Sequence, residues 1–283
     1  MTVHIALSND EGAILLSDSQ GTIAGSESHG NQKQFVADNF VVGGAGHGGI
    51  VDRLFSFLDQ KSNLRSSDAV DTIETFFETE IRREQLSTTS VILVAPGEPP
   101  SPEKMIHVFE PGTYVHFSAP TNCMTTGSGC EFVARAWRNR SVLGIMFPSE
   151  SLADLTVEAV FCADAANESL GVDDQLLISF MKDRKAYCLG DGKLRLKFAP
   201  DEVKNKWRTE IDAKWREIRE MATAINDEIR EAVRLFSSIR TGNLMPFSIS
   251  QFKSTNRTVA QRRQQLETKL AEYFDWYDQL LNR

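Results

Sequence analysis

The sequence predicts an α+β fold: a four-layer αββα sandwich of two antiparallel sheets between helix pairs, followed by a C-terminal helical hairpin. Three observations predict it. Strand-like runs come in groups separated by pairs of amphipathic helices, which disfavours a doubly wound parallel sheet because that fold alternates single strands and helices. The first two runs flank a hairpin turn, which makes them antiparallel. The C-terminal part carries a sustained heptad pattern, which is typical of paired helices.

The chain begins with strand-like segments. Residues 2–9 and 13–20 are apolar runs that lean towards β structure, and the turn-forming sequence Asn-Asp-Glu-Gly at residues 9–12 separates them. Residues 34–42 predict a third strand, which ends at the glycine-rich run of residues 43–49. An antiparallel arrangement is therefore expected at the N-terminus.

Amphipathic helices and further strands follow. A helix is predicted where apolar residues recur at i, i+3, i+4 and i+7, at Val51, Leu54, Phe55 and Leu58. A second helix is predicted over residues 67–85. Beyond it the pattern predicts strands over 88–95, over 104–109 and near 113–126, helices near 129–140 and 150–168, and strands near 174–182 and 185–190.

A boundary near residue 200 divides the predicted fold into a domain of residues 1–200 and a helical extension of residues 201–283. The extension has apolar residues at alternating spacings of four and three: Ile211, Trp215, Ile218, Ala222, Ile225, Ile229, Ala232, Phe236 and Ile239. The segment 241–246 is predicted to end this helix, and a second helix over 256–281 presents Val259, Leu266, Leu270, Tyr273, Tyr277 and Leu280. An antiparallel hairpin is the simplest interpretation, either packed only on itself or used for subunit assembly or partner docking.

Composition and charge exclude several classes of function. Residues 201–283 hold 15 Lys and Arg against 13 Asp and Glu, and residues 1–200 hold 16 against 26, so neither part is basic enough to predict nucleic-acid binding. No apolar run is long enough for a transmembrane helix, and no basic region with an apolar core predicts a secretory leader. A cytoplasmic protein with no membrane association is expected.

The histidines and cysteines form no metal pattern. The five histidines are scattered, and the four cysteines (Cys123, Cys130, Cys162 and Cys188) form no CxxC pair. Because the cysteines lie in apolar segments, buried thiols are predicted rather than zinc ligands or disulfides. The glycine-rich run 43–49 lacks the GK[ST] sequence of a phosphate-binding loop. No metal and no other cofactor is expected.

The candidate nucleophile is at the start of the chain. Thr2 follows Met1, and threonine is small enough for methionine aminopeptidase to remove the methionine. Once Met1 is removed, Thr2 carries both a hydroxyl nucleophile and a free α-amine that can act as its base. Many chains begin Met-Thr for no catalytic reason, so this feature needs support from other residues.

Residues 1–190 resemble the proteasome β-type subunits, which include the archaeal and eukaryotic β subunits, the bacterial HslV peptidase and the bacterial Anbu group. The resemblance implies the N-terminal-nucleophile hydrolase fold. The positions that carry it follow the family's order: Thr2 with the strand Val3 to Leu7, then Ser17-Asp18-Ser19-Gln20, Thr22, Ala45-Gly46, Gly127-Ser128-Gly129 and Asn167-Glu168-Ser169-Leu170-Gly171.

The resemblance implies five catalytic residues. Thr2 is the nucleophile, Lys33 stabilises the developing alkoxide, and Asp18 anchors the lysine in its charged state. Ser128 hydrogen-bonds near the threonine amine, and the Gly46 N–H donates to the oxyanion of the tetrahedral intermediate. Two plainer interpretations stay open: Asp18 as a solvated carboxylate at a strand end, and Ser128 as a helix N-cap.

The lysine is where the chain departs from part of the family. In HslV and the archaeal β subunits the catalytic lysine is one position further from the threonine, which here is Gln34. Anbu-type chains have a loop one residue shorter, and their lysine has the separation that Lys33 has from Thr2. We therefore expect Lys33 to be catalytic. The alternative is a degenerate subunit, in which Thr2 is only a strand residue.

The same resemblance implies residues that bind the substrate. The backbone of Thr22 pairs with the substrate peptide, and Gly21, Gly44 and Gly48 fall on positions that line the primary side-chain pocket. Three glycines predict a roomy pocket that admits a large or long side chain. No acidic residue is assignable to its wall, so trypsin-like specificity is not predicted.

The leading hypothesis is an N-terminal-threonine peptidase that hydrolyses peptides or unfolded proteins through an acyl-enzyme on Thr2. The resemblance implies a homo-oligomeric ring and, in energy-dependent forms, an ATP-dependent unfoldase as partner. Two alternatives remain: a non-catalytic assembly protein that uses the helical hairpin for contacts, and an N-terminal-nucleophile amidase that acts on a small amide.

Overall fold

The protein is described by a computed structural model that places residues 2–18, 21–23, 26–28, 33–61, 64–79, 89–96, 106–109, 116–118, 123–147, 149–167, 176–189, 200–241 and 246–282. The strands in these ranges are β1 (Val3–Ser8), β2 (Gly12–Asp18), β3 (Gly21–Ile23), β4 (Ser26–Ser28), β5 (Gln34–Val36), β6 (Val41–Ala45), β7 (Ser90–Val94), β8 (Ile106–Phe109), β9 (His116–Ser118), β10 (Cys123–Gly127), β11 (Leu176–Lys182) and β12 (Lys185–Leu189). The helices are α1 (Gly48–Gln60), α2 (Ser66–Thr79), α3 (Cys130–Met146), α4 (Leu152–Ala166), α5 (Asp201–Arg240) and α6 (Pro246–Leu281).

The strands form two five-stranded antiparallel sheets, as the α+β prediction requires. The first sheet has the order β10-β1-β2-β11-β12, and the second has the order β5-β6-β7-β8-β9. The strands β3 and β4 pair with each other as a separate antiparallel hairpin. The turn between β1 and β2 is built by Asn9, whose side-chain oxygen accepts from the backbone N–H groups of Glu11 and Gly12. This is the turn chemistry that the sequence predicts there.

Alternating side chains give each central strand two buried faces. Ile5, Leu7 and Ile14 lie in an apolar cluster with residues of α4, whereas Ala6, Ala13 and Leu15 lie in a second cluster with β6, β7 and β8 of the other sheet. A third cluster joins the second sheet to α1 and α2 through Phe35, Leu54 and Ile73 among others. The period of two in a strand explains why neighbouring residues enter different clusters.

The helical extension packs on the rest of the chain. Trp215 of α5 donates through Nε1 to the Leu176 carbonyl of β11 at 2.7 Å, and Asn226 donates to the Val157 carbonyl of α4 at 3.2 Å. Tyr273 of α6 donates to the Cys188 carbonyl of β12. Apolar residues of both helices of the extension, Ile225 and Leu266 among them, belong to the same buried cluster as the first sheet and α4. The extension therefore packs on the first sheet and on α4 of its own chain. The sequence had suggested either a hairpin packed only on itself or one used for subunit assembly or partner docking, and neither interpretation includes this contact.

The two long helices form the predicted antiparallel hairpin. Three polar contacts join the helices: Glu231 accepts from Gln251, Glu228 pairs with Arg262, and Glu217 pairs with Lys269. The residue numbers fall along α5 as they rise along α6, which is the order expected for antiparallel helices. The six apolar residues predicted to face inward on the second helix are all buried. That helix begins at Pro246 rather than near 256, because a proline in the first turn needs no backbone donor and starts a helix well.

Three further predictions of local structure are wrong. Residues 34–42 form two strands, β5 and β6, because the turn-forming pair Asp38 and Asn39 closes a hairpin in which the Ala37 N–H donates to the Phe40 carbonyl at 2.9 Å. The segment near 113–126 contains β9 and β10, which belong to different sheets. Phe236 was predicted to belong to the apolar face of α5, but it is 39% exposed and its neighbour Leu235 is buried instead. Burial depends on which face of the helix a neighbouring element covers, and not on heptad spacing alone.

We predict that Trp215→Phe destabilises the protein by about 2 kcal/mol, because it leaves the buried Leu176 carbonyl without its donor and removes part of a buried ring. Urea unfolding followed by circular dichroism measures this loss. The matched control is Trp207→Phe at a half-buried position of the same helix, which should change stability by less than about 0.5 kcal/mol. Equal effects at both positions would contradict the packing of α5 on β11.

Candidate active site

Strand pairing brings three of the predicted residues, Thr2, Asp18 and Ser128, to one end of neighbouring strands in the first sheet. In the β1–β10 pair Val3 lies opposite Gly127, and in the β1–β2 pair His4 lies opposite Ser17. Thr2 therefore enters the sheet next to Ser128 on one side and Asp18 on the other. The Val3 N–H donates to Asp18 Oδ1 at 2.8 Å, so the backbone directly after Thr2 is tied to the carboxylate.

Lys33 completes the group from the second sheet. Its Nζ donates to Thr2 Oγ1 at 2.6 Å and lies 3.3 Å and 3.2 Å from the two carboxylate oxygens of Asp18. The Asp18 side chain is fully buried and that of Lys33 is 6% exposed, so the two charges pair in a region from which water is largely excluded. The interpretation of Asp18 as a solvated carboxylate is wrong. Lys33, and not Gln34, reaches the threonine.

Ser128 lies on the backbone side of Thr2. The Thr2 nitrogen is 3.3 Å from Ser128 Oγ, and the Thr2 carbonyl is 3.4 Å from the same oxygen. The following helix α3 has Gly129 as its N-cap, with no side chain capping it, so Ser128 does not serve as the N-cap that the alternative interpretation required. Its hydroxyl is therefore within hydrogen-bond distance of the nitrogen that would be the free amine of Thr2 after removal of Met1.

Gly127 is required for this close approach. Its φ is +94°, and a Cβ built on it would lie 2.0 Å from the Thr2 carbonyl oxygen. Both the backbone conformation and the space exclude an L side chain. A glycine at this position therefore allows β10 to carry Ser128 up to the backbone of Thr2.

Gly46 is near the same group by strand register. The Gly44 N–H donates to the Lys33 carbonyl at 3.2 Å, and β6 ends one residue later, at Ala45. Gly46 follows directly with φ +111°, a conformation that favours glycine, and it is exposed. The predicted oxyanion donor therefore lies at a bend two residues beyond Gly44, whose N–H pairs with the Lys33 carbonyl.

The predicted substrate-binding residues have different surroundings. A Cβ on Gly48 would have no atom within 4 Å, so space is open at the start of α1. A Cβ on Gly44 would lie 2.6 Å from Val51 Cγ1, so the Val51 side chain already fills the space beside this glycine. Gly21 and Thr22 lie in β3, whose backbone pairs with β4.

A buried polar cluster behind the site was missed in the sequence. His4 Nδ1 is 2.5 Å from Ser17 Oγ, and Gln34 Nε2 donates to the same oxygen at 2.8 Å. All three side chains are buried. A polar residue at inward positions of apolar strands is the signal that could have found them, since buried polar groups are hydrogen-bonded as a rule.

Burial shifts the pKa of two thiols and one imidazole. Burial raises the pKa of Cys123 to about 12 and raises that of Cys162 well above its ordinary value, so neither thiol supplies a nucleophilic thiolate at neutral pH. Burial, with a smaller contribution from the nearby positive charge of Lys33, lowers the pKa of His4 from 6.5 to about 4. His4 is therefore neutral at pH 7.

The last family-like stretch of the sequence is described only in part. Asn167 ends α4, and residues 168–171 of the last family-like stretch lie outside the described residues. Cys162 and Cys188 are buried as predicted, whereas Cys123 and Cys130 are half-buried.

In the described ranges there is no cluster of three or more His, Cys, Asp or Glu side chains suited to a metal ion. None of the helices in those ranges is long and apolar enough to span a membrane.

Comparison with known proteins gives a structural likeness only. No protein-family model matches the chain, and no curated protein matches it. Among solved structures, eukaryotic HslV from Trypanosoma brucei is similar with a TM-score of 0.48 and 17% sequence identity, over 64% of this chain and 99% of that one.

We predict that Gly127→Ala destabilises the protein by at least 1–3 kcal/mol, because a methyl group would meet the Thr2 carbonyl in a backbone conformation that disfavours alanine. Thermal unfolding checks it. The control is Gly144→Ala in the α3 interior, where a Cβ has open space and helix propensity favours alanine by up to about 1 kcal/mol. A Gly127→Ala protein as stable as the control would disprove the close approach.

We predict a loss of stability on acidification that is due to His4. Its pKa is about 4 in the folded protein and about 6.5 when unfolded, so between these values only the unfolded chain takes up the proton. This contribution is present above pH 6.5 and is lost as the pH falls towards 4, by roughly 2 kcal/mol between pH 7 and pH 5.

The comparison is with His4→Asn, because asparagine has an acceptor oxygen and no titration in this range. Urea midpoints at pH 7 and pH 5 should fall less in this variant than in the unsubstituted protein. An identical pH dependence in both proteins would show that the buried imidazole does not resist protonation.

Proposed function

We propose that this protein is an N-terminal-threonine peptidase of the proteasome-like N-terminal-nucleophile hydrolases, in which removal of Met1 exposes Thr2 as the nucleophile. One observation carries the proposal: a buried, Asp18-paired lysine ammonium lies 2.6 Å from the hydroxyl oxygen of the second residue of the chain. A positive charge at this distance stabilises the negative charge that grows on Oγ1 as its proton leaves.

The reaction follows from the placement of the groups. The free α-amine of Thr2, beside Ser128 Oγ, takes the proton of Oγ1 directly or through one water, and Oγ1 bonds to the carbonyl carbon of the scissile amide. The Gly46 N–H is the proposed donor to the resulting oxyanion. When the tetrahedral intermediate collapses, the C–N bond breaks, and the leaving amine takes the proton from the Thr2 ammonium.

The second half of the reaction uses the same groups. Water gives a proton to the Thr2 amine and its oxygen bonds to the acyl carbon. Collapse of this second intermediate breaks the ester bond and returns the proton to Oγ1, so the carboxylic acid product leaves and the enzyme is regenerated. Asp18 keeps Lys33 charged throughout, and no metal or other cofactor takes part in the proposed steps.

The proposal extends to architecture and partners. Contacts of each sheet with its own helices and of the sheets with each other support the four-layer sandwich. We propose residues 1–200 as the catalytic domain and residues 201–283 as its extension, in a cytoplasmic homo-oligomeric ring that receives peptides or chains opened by an ATP-dependent unfoldase. Phe236 and Ile249, each 39% exposed near the turn of the hairpin, offer apolar surface for contact between copies.

The test is the intact mass of the purified protein after treatment with a β-lactone or epoxyketone that reacts with N-terminal threonine. We expect loss of Met1 and one adduct. Thr2→Ala should give no adduct, and Thr2→Ser, which keeps a hydroxyl and a small residue after Met1, should still be labelled. Lys33→Met should lower the labelling rate by at least 10²-fold, because the charge next to Oγ1 is lost.

Three results would separate the alternatives. A mass that retains Met1 and shows no adduct contradicts the nucleophile and favours the assembly protein. An adduct on Thr2 with hydrolysis of small amides but of no peptide in a substrate library identifies a small-amide amidase. Labelling in Thr2→Ala at the rate of the unsubstituted protein would mean that the reactive residue is elsewhere.

A further inference from the structure

A second layer of buried polar side chains lies behind the proposed catalytic group. Each of its three residues is close in sequence to one member of that group. His4 lies on β1, two residues after Thr2. Ser17 directly precedes Asp18 on β2, and Gln34 directly follows Lys33 at the start of β5. His4 and Ser17 are fully buried, and Gln34 is 4% exposed. Burying three polar side chains in an apolar sheet interface is costly unless they are hydrogen-bonded, so their contacts indicate what they hold in place.

Gln34 links the two sheets. Its own strand, β5, belongs to the second sheet, whereas its side-chain Nε2 donates to Ser17 Oγ at 2.8 Å and to the Leu15 carbonyl at 3.0 Å, both on β2 of the first sheet. Its Oε1 accepts from Ser179 Oγ of β11 at 2.7 Å. The amide therefore connects the residue next to Lys33 with the residue next to Asp18.

The Ser17 hydroxyl joins Gln34 to His4. Its Oγ accepts from Gln34 Nε2 and lies 2.5 Å from His4 Nδ1, where the imidazole tautomer sets which of the two atoms donates. A chain of hydrogen bonds thus runs from Gln34 through Ser17 to the imidazole. His4 is two residues from Thr2 on β1, and Gly43 of β6 gives it space, since a Cβ there would lie 2.9 Å from Nδ1.

We propose that Gln34, Ser17 and His4 are positioning residues, which hold Lys33 within hydrogen-bond distance of Thr2 by joining β5 to β2 and β1. The inference rests on the proposed function, because it assigns these residues to the same site. Lys33 directly precedes β5 of the second sheet, whereas Asp18 ends β2 and Thr2 directly precedes β1 of the first sheet, so a shift of one sheet against the other changes the 2.6 Å contact directly. A displacement of about 1 Å in such a contact lowers reaction rates on the order of 10²-fold.

The experiment compares Gln34→Leu and Ser17→Ala with Asn226→Leu. Asn226 is also a buried amide that donates to a backbone carbonyl, but it lies between α5 and α4, in the helical layer and not between the sheets. All three variants are expected to lose stability. Only the first two are expected to lower the maximal rate of β-lactone labelling at Thr2, on the order of 10²-fold, with the half-saturating concentration unchanged because the substrate pocket is untouched.

A crystal structure of Ser17→Ala gives a readout that does not need activity. We expect the Lys33 Nζ to Thr2 Oγ1 distance to exceed hydrogen-bond range in this variant and to stay within it in Asn226→Leu. Ser17→Ala removes one oxygen only, so it keeps the test decisive if Gln34→Leu does not fold. An unchanged Lys33 position with unchanged labelling kinetics would overturn the positioning role.

The two proposals fail in different ways. If the unsubstituted protein is not labelled at Thr2, the peptidase proposal fails, and the crystallographic distance still decides whether the polar layer positions Lys33. If the unsubstituted protein is labelled and Ser17→Ala is labelled as fast with Lys33 in place, only the positioning proposal fails.

Discussion

The buried ion pair of Lys33 and Asp18 is the interaction on which the rest of this structure depends. Taking both charges out of water is unfavourable, and their attraction offsets this only when the geometry is close and further hydrogen bonds are made. Both conditions hold: the carboxylate also accepts from the Val3 N–H, and the ammonium also donates to Thr2 Oγ1.

The two sheets must keep a constant relation for this pair to exist, because Asp18 ends β2 of the first sheet and Lys33 directly precedes β5 of the second. Between the sheets, Gly43 of β6 leaves room for His4 of β1, and within the first sheet Gly127 of β10 leaves room for the Thr2 carbonyl. The helical extension holds the first sheet from outside, since Trp215 and Tyr273 donate to carbonyls of β11 and β12. Close backbone approach and the packing of the extension both support the strands that carry the site.

Much of the fold could be predicted from local patterns. The hairpin of β1 and β2, the helix α1 and the inward face of α6 follow from turn residues and apolar spacing, which act over a few residues. Thr2, Asp18, Lys33 and Ser128 were predicted from the resemblance of the sequence to a known family, and the structure brings these four residues together. The break between β5 and β6 is also encoded locally, by the turn-forming pair Asp38 and Asn39.

What the sequence alone determined is the set of chemical groups and the faces of the elements that carry them. The tertiary structure decided which of those groups meet: that Lys33 rather than Gln34 reaches Thr2, that Ser17 and Gln34 join the sheets, and that the extension covers its own chain. Spacing along a chain defines local periodicity but not the partner across a sheet interface. Those contacts join residues far apart in sequence, and packing of the whole chain selects them.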